Sequence, residues 1–505
     1  MILNVLEMLE KTASRCPERL AFSDPERNIT YKETLEQSKK IGSFLTEKGF
    51  VKVPVSFYLE KSTYAVCGMF GAVYAGGFYS LIDLRQPENR IRSILDTLKP
   101  AVILSDEENY DAACSLSDLP VYKIEEILET ADINEEALAA VRAKARDVDP
   151  LYVNFTSGST GVPKGVTVCH RSVIDFIVPF TEIFGITEND IMGNQAPFDF
   201  DVSVKDIYSA LYTGARVALI PRSYFSNPTK LMDYLCDSKV TVLVWAVSAM
   251  CFVSIMNGFG YRNPETLRIV MFSGEVMPIK QFNVWKKYQP HVKFVNLYGP
   301  TEITCNCTYY ELEDRMYEPD EKIPVGKAFP NEKVFLLDDE NKEVTEPGLP
   351  GELCVSGSCL ALGYYGNRQK TGEVFVQNPL NPDWNEMIYR TGDLCAYQED
   401  GNLVYISRKD FQIKHLGHRI ELGEIESGAQ QVEGIERACC LYDAVKKKIV
   451  LFYTGSKDKK ELLEEMKELL PVFMIPNKAI QLEEMPLNKN GKIDRNALKE
   501  TGGIR

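Results

Sequence analysis

The chain has 505 residues, 45% of them apolar and 26% charged, a balance that suits a soluble enzyme of several domains and excludes disorder, collagen and coiled coil as descriptions of the whole. Fifty-seven Lys and Arg stand against 72 Asp and Glu, so the net charge is −15 and nucleic acid is a poor partner. The 13 cysteines are scattered and lack paired C-x2-C spacing, which argues for reduced thiols in a cytoplasmic protein and against structural zinc.

In chain order, the N-terminal stretch carries Glu7, Glu10, Lys11, Arg15, Glu18 and Arg19, which rules out the unbroken apolar core of a signal peptide. Short apolar runs then alternate with longer amphipathic ones. Candidate strands are Leu151–Phe155, Arg216–Pro221, Val240–Val247, Leu267–Phe272 and Val292–Leu297, with helical patterns between them. That alternation predicts βαβ units and largely parallel, buried sheets. Val240–Tyr261 has no charge and is long enough to span a bilayer, but its polar residues and glycines favour a buried strand followed by a buried helix, so no membrane insertion is expected. Beyond about residue 325 the texture changes to short strands with tight turns. KVFLLDDENKEV is expected to turn at Asp338–Asn341, and AYQEDGNLVYIS at Asp400–Gly401. The last 95 residues or so predict a separate α+β unit: a hairpin-like pair, Ala438–Tyr442 and Lys448–Tyr453, then an amphipathic helix, KDKKELLEEMKELL. The expected boundary is near Asp410. Residues 411–505 hold 16 basic and 15 acidic residues, net +1, which leaves −16 for the first 410.

The most specific chemical signal is F155-T-S-G-S-T-G-V-P-K-G165. A strand runs into a loop of glycines, hydroxyls and one lysine. Glycine lets backbone N–H groups approach phosphate oxygens, the hydroxyls of Thr156, Ser157, Ser159 and Thr160 donate to them, and Lys164 adds a point charge beside Gly158 and Gly161. The Walker A pattern fails, because Pro163 precedes Lys164 and Gly165 follows it.

This loop and eight further ordered segments resemble the adenylate-forming superfamily, specifically stand-alone amino-acid adenylation enzymes. The segments are YAGGFYSLID (74–83), FDVS (200–203), NLYGPTE (296–302), GELCVSG (351–357), YRTGD (389–393), SRKDFQIKHLGHRIELGEIE (407–426), LPVFMIP (470–476) and NKNGKIDR (488–495). NQAPFDFDVSVKDIY and FSGEVMP are similar to D-alanine–carrier-protein ligases. The resemblance implies a large N-terminal domain (1–409) of layered α/β sheets plus a distorted β-barrel, and a small mobile α+β C-terminal lid (410–505) hinged at Asp410. It implies a carboxylate attacking the α-phosphate of ATP, then transfer of the acyl group to the phosphopantetheine thiol of a carrier protein. No serine-centred carrier segment follows residue 500, so that carrier is expected as a separate chain.

By the same resemblance, Lys492 bridges the substrate carboxylate and the forming phosphoester. Thr301 donates to the α-phosphate, Tyr298 offers a face to adenine, and Glu302 suits Mg²⁺, with Asn296 and Gly299 in the same segment. Asp393 accepts from the ribose hydroxyls; Arg408 and Lys414 hold nucleotide, although Ser407 stands where the family has glycine. After rotation, the loop around Gly417 would face the thiol. Asp201 is expected to take the substrate's α-ammonium; its alternative is an N-cap to the helix that follows. Val202, Lys205, Val244, Met271, Ser273, Leu297, Cys305 and Asn306 line the pocket by registration. Most are small or medium and apolar, which favours D-alanine or another small amino acid. Ser273 stands where D-alanine ligases commonly carry cysteine. Lys205 replaces a usually neutral residue: pointing inward it favours an acidic side chain, pointing outward it leaves D-alanine in place. An acyl- or aryl-CoA ligase using free coenzyme A, and a non-catalytic nucleotide-binding regulator, are the competing readings.

Overall fold

The computed structural model describes residues 2–158, 162–409, 411–487 and 493–504. The chain divides into two compact units. One comprises Met1–Asp83, Lys99–Asn154 and Val166–Lys409; the other comprises Leu84–Leu98, Phe155–Gly165 and Asp410–Arg505.

The first unit is built on three sheets. The largest has nine strands, and its centre runs Lys293–Tyr298, Ile269–Ser273, Val242–Ala246, Ile191–Asn194, Arg216–Leu219 and Leu20–Ser23, every neighbouring pair parallel. Its strands read as continuous apolar runs because both faces are covered. The pleat divides them: Val244, Met271 and Leu297 enter one core, while Trp245, Phe272 and Phe294 enter another. A seven-stranded sheet includes Pro54–Tyr58, Phe78–Leu81, Val102–Ser105 and Pro150–Thr156, with Lys164–Cys169 toward one edge. The third sheet is antiparallel, with Glu332–Leu337, Gly351–Gly357 and Met387–Tyr397 in succession. It supplies the distinct all-β element expected after residue 325.

The charge-free stretch resolves as expected into strand Val242–Ala246, helix Val247–Ile255 and a short helix Gly258–Tyr261. No helix among the described residues is long and apolar enough to cross a membrane. The hairpin at Asp400–Gly401 forms, with Gly401 at φ 80°. The one at Asp338–Asn341 is only a turn. Its return arm makes a single bridge, Leu337 to Glu343, because Pro347-Gly348 follows too soon for a strand, and Glu332–Leu337 pairs with Gly351–Gly357 instead.

In the second unit, Ile435–Asp443 and Lys448–Gly455 pair antiparallel, and Lys478–Gln481 joins parallel to the latter. The amphipathic helix is Lys459–Lys467, shorter than its pattern. Asp458 caps it through the Lys460 N–H (2.8 Å), and Pro471 bars extension. Helices Leu422–Gln430 and Glu88–Leu98 also belong to this unit.

Candidate functional site

In the first unit, Asp201 stands where helix Val202–Thr213 begins, yet its side chain does not cap that helix. Its carboxylate is buried, and burial pushes its pKa up against the opposing charge of Lys205 and a hydrogen bond from Thr301. Four residues along, Lys205 lies on the same helical face and is 0% exposed. It points inward. Its Nζ donates to Asn306 Oδ1 at 2.6 Å. Asn306 is presented by a strained turn: Thr304 (φ 56°) and Cys305 (φ 76°) both occupy the left-handed region, at about 1–3 kcal/mol each for such residues. The Thr304 hydroxyl on the Cys359 carbonyl (2.7 Å) and the Cys305 thiol on the Asp201 carbonyl (3.1 Å) hold that turn. Gly299 allows it: a Cβ there would lie 2.5 Å from Asn306 Cα and 2.7 Å from the Cys305 oxygen. Val202, Val244, Met271, Leu297 and Cys305 share one core cluster beside these polar groups, and Ser273 is buried one pleat beyond Met271.

Behind the pocket lies a second buried charge system. Lys61 Nζ donates to the carbonyls of Asn194 (3.1 Å), Gln195 (3.1 Å) and Ala196 (3.4 Å), and Asn194 Nδ2 donates to Asp206 Oδ2 (2.8 Å). Burial pulls Lys61 down to about 7 and pushes Asp206 up to about 7, the latter against the Asn194 hydrogen bond and the charges of Lys205 and Lys61.

The segment after strand Lys293–Tyr298 carries the groups expected to meet nucleotide. Asn296 Nδ2 donates to the Pro324 carbonyl (2.7 Å). The Tyr298 hydroxyl donates to Asp393 Oδ2, and Arg408 Nη1 donates to Asp393 Oδ1 (2.7 Å). Asp393 is thus a buried, doubly partnered carboxylate rather than a solvated turn residue. Glu302 is fully buried, and its Oε1 accepts from the Tyr364 hydroxyl (2.8 Å). A single buried carboxylate beside Thr301 fits Mg²⁺, which takes few protein oxygens and keeps its water and phosphate ligands. Among the described residues no group of three or more His, Cys, Asp or Glu is arranged to hold a metal ion.

The glycine-rich loop belongs to the second unit. Three donors among its described residues are engaged there, while the buried Thr156 hydroxyl makes no hydrogen bond. The Ser157 hydroxyl donates to the Arg419 carbonyl (2.7 Å), the Gly158 N–H to Glu424 Oε2 (3.1 Å), and Lys164 Nζ to Glu421 Oε1 (3.3 Å). Glu424 is also ion-paired with Arg90, and both are buried. Carboxylate oxygens therefore sit on the donors that a phosphate would use. Gly158 is required by contact: a Cβ would lie 2.1 Å from the Val162 carbonyl oxygen. Ser159, Thr160, Gly161, Asp410 and Lys492 lie outside the described residues.

Residues 9–365 match the AMP-binding enzyme family. The chain belongs to that family. It is 33% identical over 506 residues to bacitracin synthase 1 of Bacillus licheniformis, covering 98% of this chain and 9% of that protein. It is also 33% identical over 513 residues to tyrocidine synthase 3 of Brevibacillus parabrevis, covering 100% of this chain and 8% of that one. The chain thus spans less than a tenth of the length of either relative. Among solved structures, a holo four-domain nonribosomal peptide synthetase bound to AMP and glycine matches at 28% identity and TM-score 0.71, over 98% of this chain and 36% of that one. A Vibrio cholerae adenylation domain in complex with glycyl-adenosine-5'-phosphate matches at 21% identity and TM-score 0.85, over 100% of this chain and 98% of that one. This last likeness is one of fold.

Within this AMP-binding enzyme, the first unit brings Asp201, Lys205, Thr301, Cys305 and Asn306 together. Several participants were not foreseen. Lys61 stands in LEKST, which carries no local pattern. Arg90 looks like any surface arginine of an amphipathic helix. Glu421 and Glu424 lie inside the recognised segment 407–426, but nothing in their spacing says that they engage the loop.

Proposed function

We propose that the chain activates an amino acid as its aminoacyl adenylate and passes the acyl group to the phosphopantetheine thiol of a carrier protein. The observation that carries this reading is Asp201: a buried carboxylate, released from capping, beside an apolar cluster of an AMP-binding enzyme. Such a group calls for a cation, and an α-ammonium supplies one. Aryl and fatty acids do not.

In this reading Asp201 anchors the ammonium and so fixes where the substrate carboxylate lies. A carboxylate oxygen attacks the α-phosphorus, and pyrophosphate leaves. No protein nucleophile is needed; positioning and charge stabilisation supply the acceleration. Thr301 donates to the α-phosphate. The Lys492 ammonium neutralises charge shared between the carboxylate and the phosphoester. Asp393, steadied by Arg408 and Tyr298, accepts from ribose, and Tyr298 borders adenine. Lys164 and the loop hydroxyls cradle the triphosphate once Glu421 and Glu424 release them. Glu302 would hold Mg²⁺, which when bound offsets phosphate charge. Residues 1–409 serve as the adenylation core and 410–505 as a lid turning about Asp410, so that adenylation and thiol transfer alternate.

Exchange of labelled pyrophosphate into ATP, run with amino, aryl and fatty acids, tests the first step. Exchange that depends on an α-amino group is expected; exchange supported only by acids without one would make the chain an acyl- or aryl-acid activator. Transfer of the activated acyl group to a phosphopantetheinylated carrier, measured against free coenzyme A, tests the second.

A further inference from the structure

The pocket holds a buried cation whose hydrogen bond goes to a neutral group. Lys205 is wholly buried, its hydrogen bond goes to the neutral amide of Asn306 (2.6 Å), and it makes no ion pair among the described residues. The carboxylate that feels its charge from the pocket side is Asp201, one helical turn away. Asp206 also feels the charge of Lys205, but its carboxylate is engaged by the Asn194 amide (2.8 Å) and forms no ion pair with the lysine among the described residues. An α-ammonium docking on Asp201 engages the carboxylate nearest along the helix and leaves the buried Lys205 without a direct ion-pair partner, an arrangement that is costly in a low-dielectric site. A carboxylate on the substrate side chain supplies that partner.

We infer that the substrate is an acidic α-amino acid, whose side-chain carboxylate pairs with Lys205 while its ammonium pairs with Asp201. This rests on the amino-acid reading above and names the side chain. Asn306 orients the lysine: its amide oxygen holds one of three ammonium protons and leaves the others for a carboxylate. The left-handed Thr304 and Cys305 turn is what places that oxygen. The apolar wall of Val244, Met271 and Leu297 keeps water out, so the pair would form in a dry site where it discriminates strongly. The small-amino-acid expectation follows from the size of these walls alone, and the buried ammonium overrides it.

The test is pyrophosphate exchange by the wild-type protein with L- and D-aspartate, L- and D-glutamate, their amides, and alanine. One acidic amino acid is expected to exceed its own amide and alanine by about 10–100-fold in kcat/KM, the range for a lost hydrogen bond to a charged group. Lys205→Met is expected to lower acidic-substrate use by a similar factor while raising or sparing use of the matching amide. Asn306→Asp, which gives the lysine an internal partner, is expected to weaken the acidic substrate without moving the melting temperature. If Lys205→Met does not fold, the wild-type panel decides. Alanine or another neutral amino acid as best substrate, indifferent to both substitutions, would overturn the acidic assignment while leaving amino-acid activation intact. Exchange with no amino acid at all would instead remove the amino-acid reading, and this inference with it.

Discussion

In the proposed reading Asp201 and Lys492 divide the work at the scale of single side chains, and their loss should look different. Asp201→Ala removes the ammonium anchor without touching nucleotide. The Michaelis constant for the amino acid should rise about 10-fold or more, with that for ATP unchanged; equal effects on both would deny Asp201 its role. Lys492→Ala removes a positioned charge and should slow adenylate formation by about 10²–10³ with little change in thermal stability. Adenylation at the wild-type rate in that variant would reassign the lysine. The sequence made Asp201 legible as a carboxylate in an apolar run, but not its geometry. Whether it capped its helix or faced a pocket depended on the 301–306 turn, which lies about 100 residues away. The direction of Lys205 was equally open, because a long side chain can reach either side of a helix face until its neighbours are known.

At the scale of elements, Gly158 gives the glycine-rich loop a testable constraint. Gly158→Ala would drive a Cβ into the Val162 carbonyl, so the loop must move. The expected result is a rise of about 10-fold or more in the Michaelis constant for ATP, the cost of losing well-placed phosphate donors, with amino-acid dependence retained. An unchanged constant would mean that this loop does not cradle phosphate. The strands were readable from the sequence to within a residue or two, since two-sided burial forces continuous apolar runs. The turn at Asp338–Asn341 was readable as a turn and misleading as a hairpin, because pairing is decided by the later strand Gly351–Gly357. The grouping of Leu84–Leu98 and Phe155–Gly165 with the C-terminal residues had no local signature. It depends on Arg90, Glu421 and Glu424, whose partners are far apart in sequence.

For the molecule as a whole, one buried histidine couples stability to acid. His170 opens helix His170–Ile183, and its Nδ1 accepts the Val5 N–H (3.4 Å) inside the core. Burial lowers its pKa to about 4, against about 6.5 in an unfolded chain. The unfolded state therefore binds the extra proton first. Stability that is fully present above pH 6.5 is lost as pH falls toward 4, by up to about 3 kcal/mol. His170→Asn keeps an acceptor and removes the titration, so the melting temperature of the wild type should fall relative to the variant across that window. A constant difference would show that the ring does not titrate there. The charge division along the chain belongs to this scale too. Residues 411–505 are near neutral while the rest carries −16, so an acidic carrier would be repelled less by the tail, and transfer to it should be salt-sensitive. At every scale the proposed function turns on one product. Incubating the protein with ATP, Mg²⁺ and the amino acid that best supports exchange, and reading the quenched mixture by mass spectrometry, should reveal an aminoacyl adenylate formed with equimolar pyrophosphate; release of ADP and phosphate with no adenylate would contradict the account.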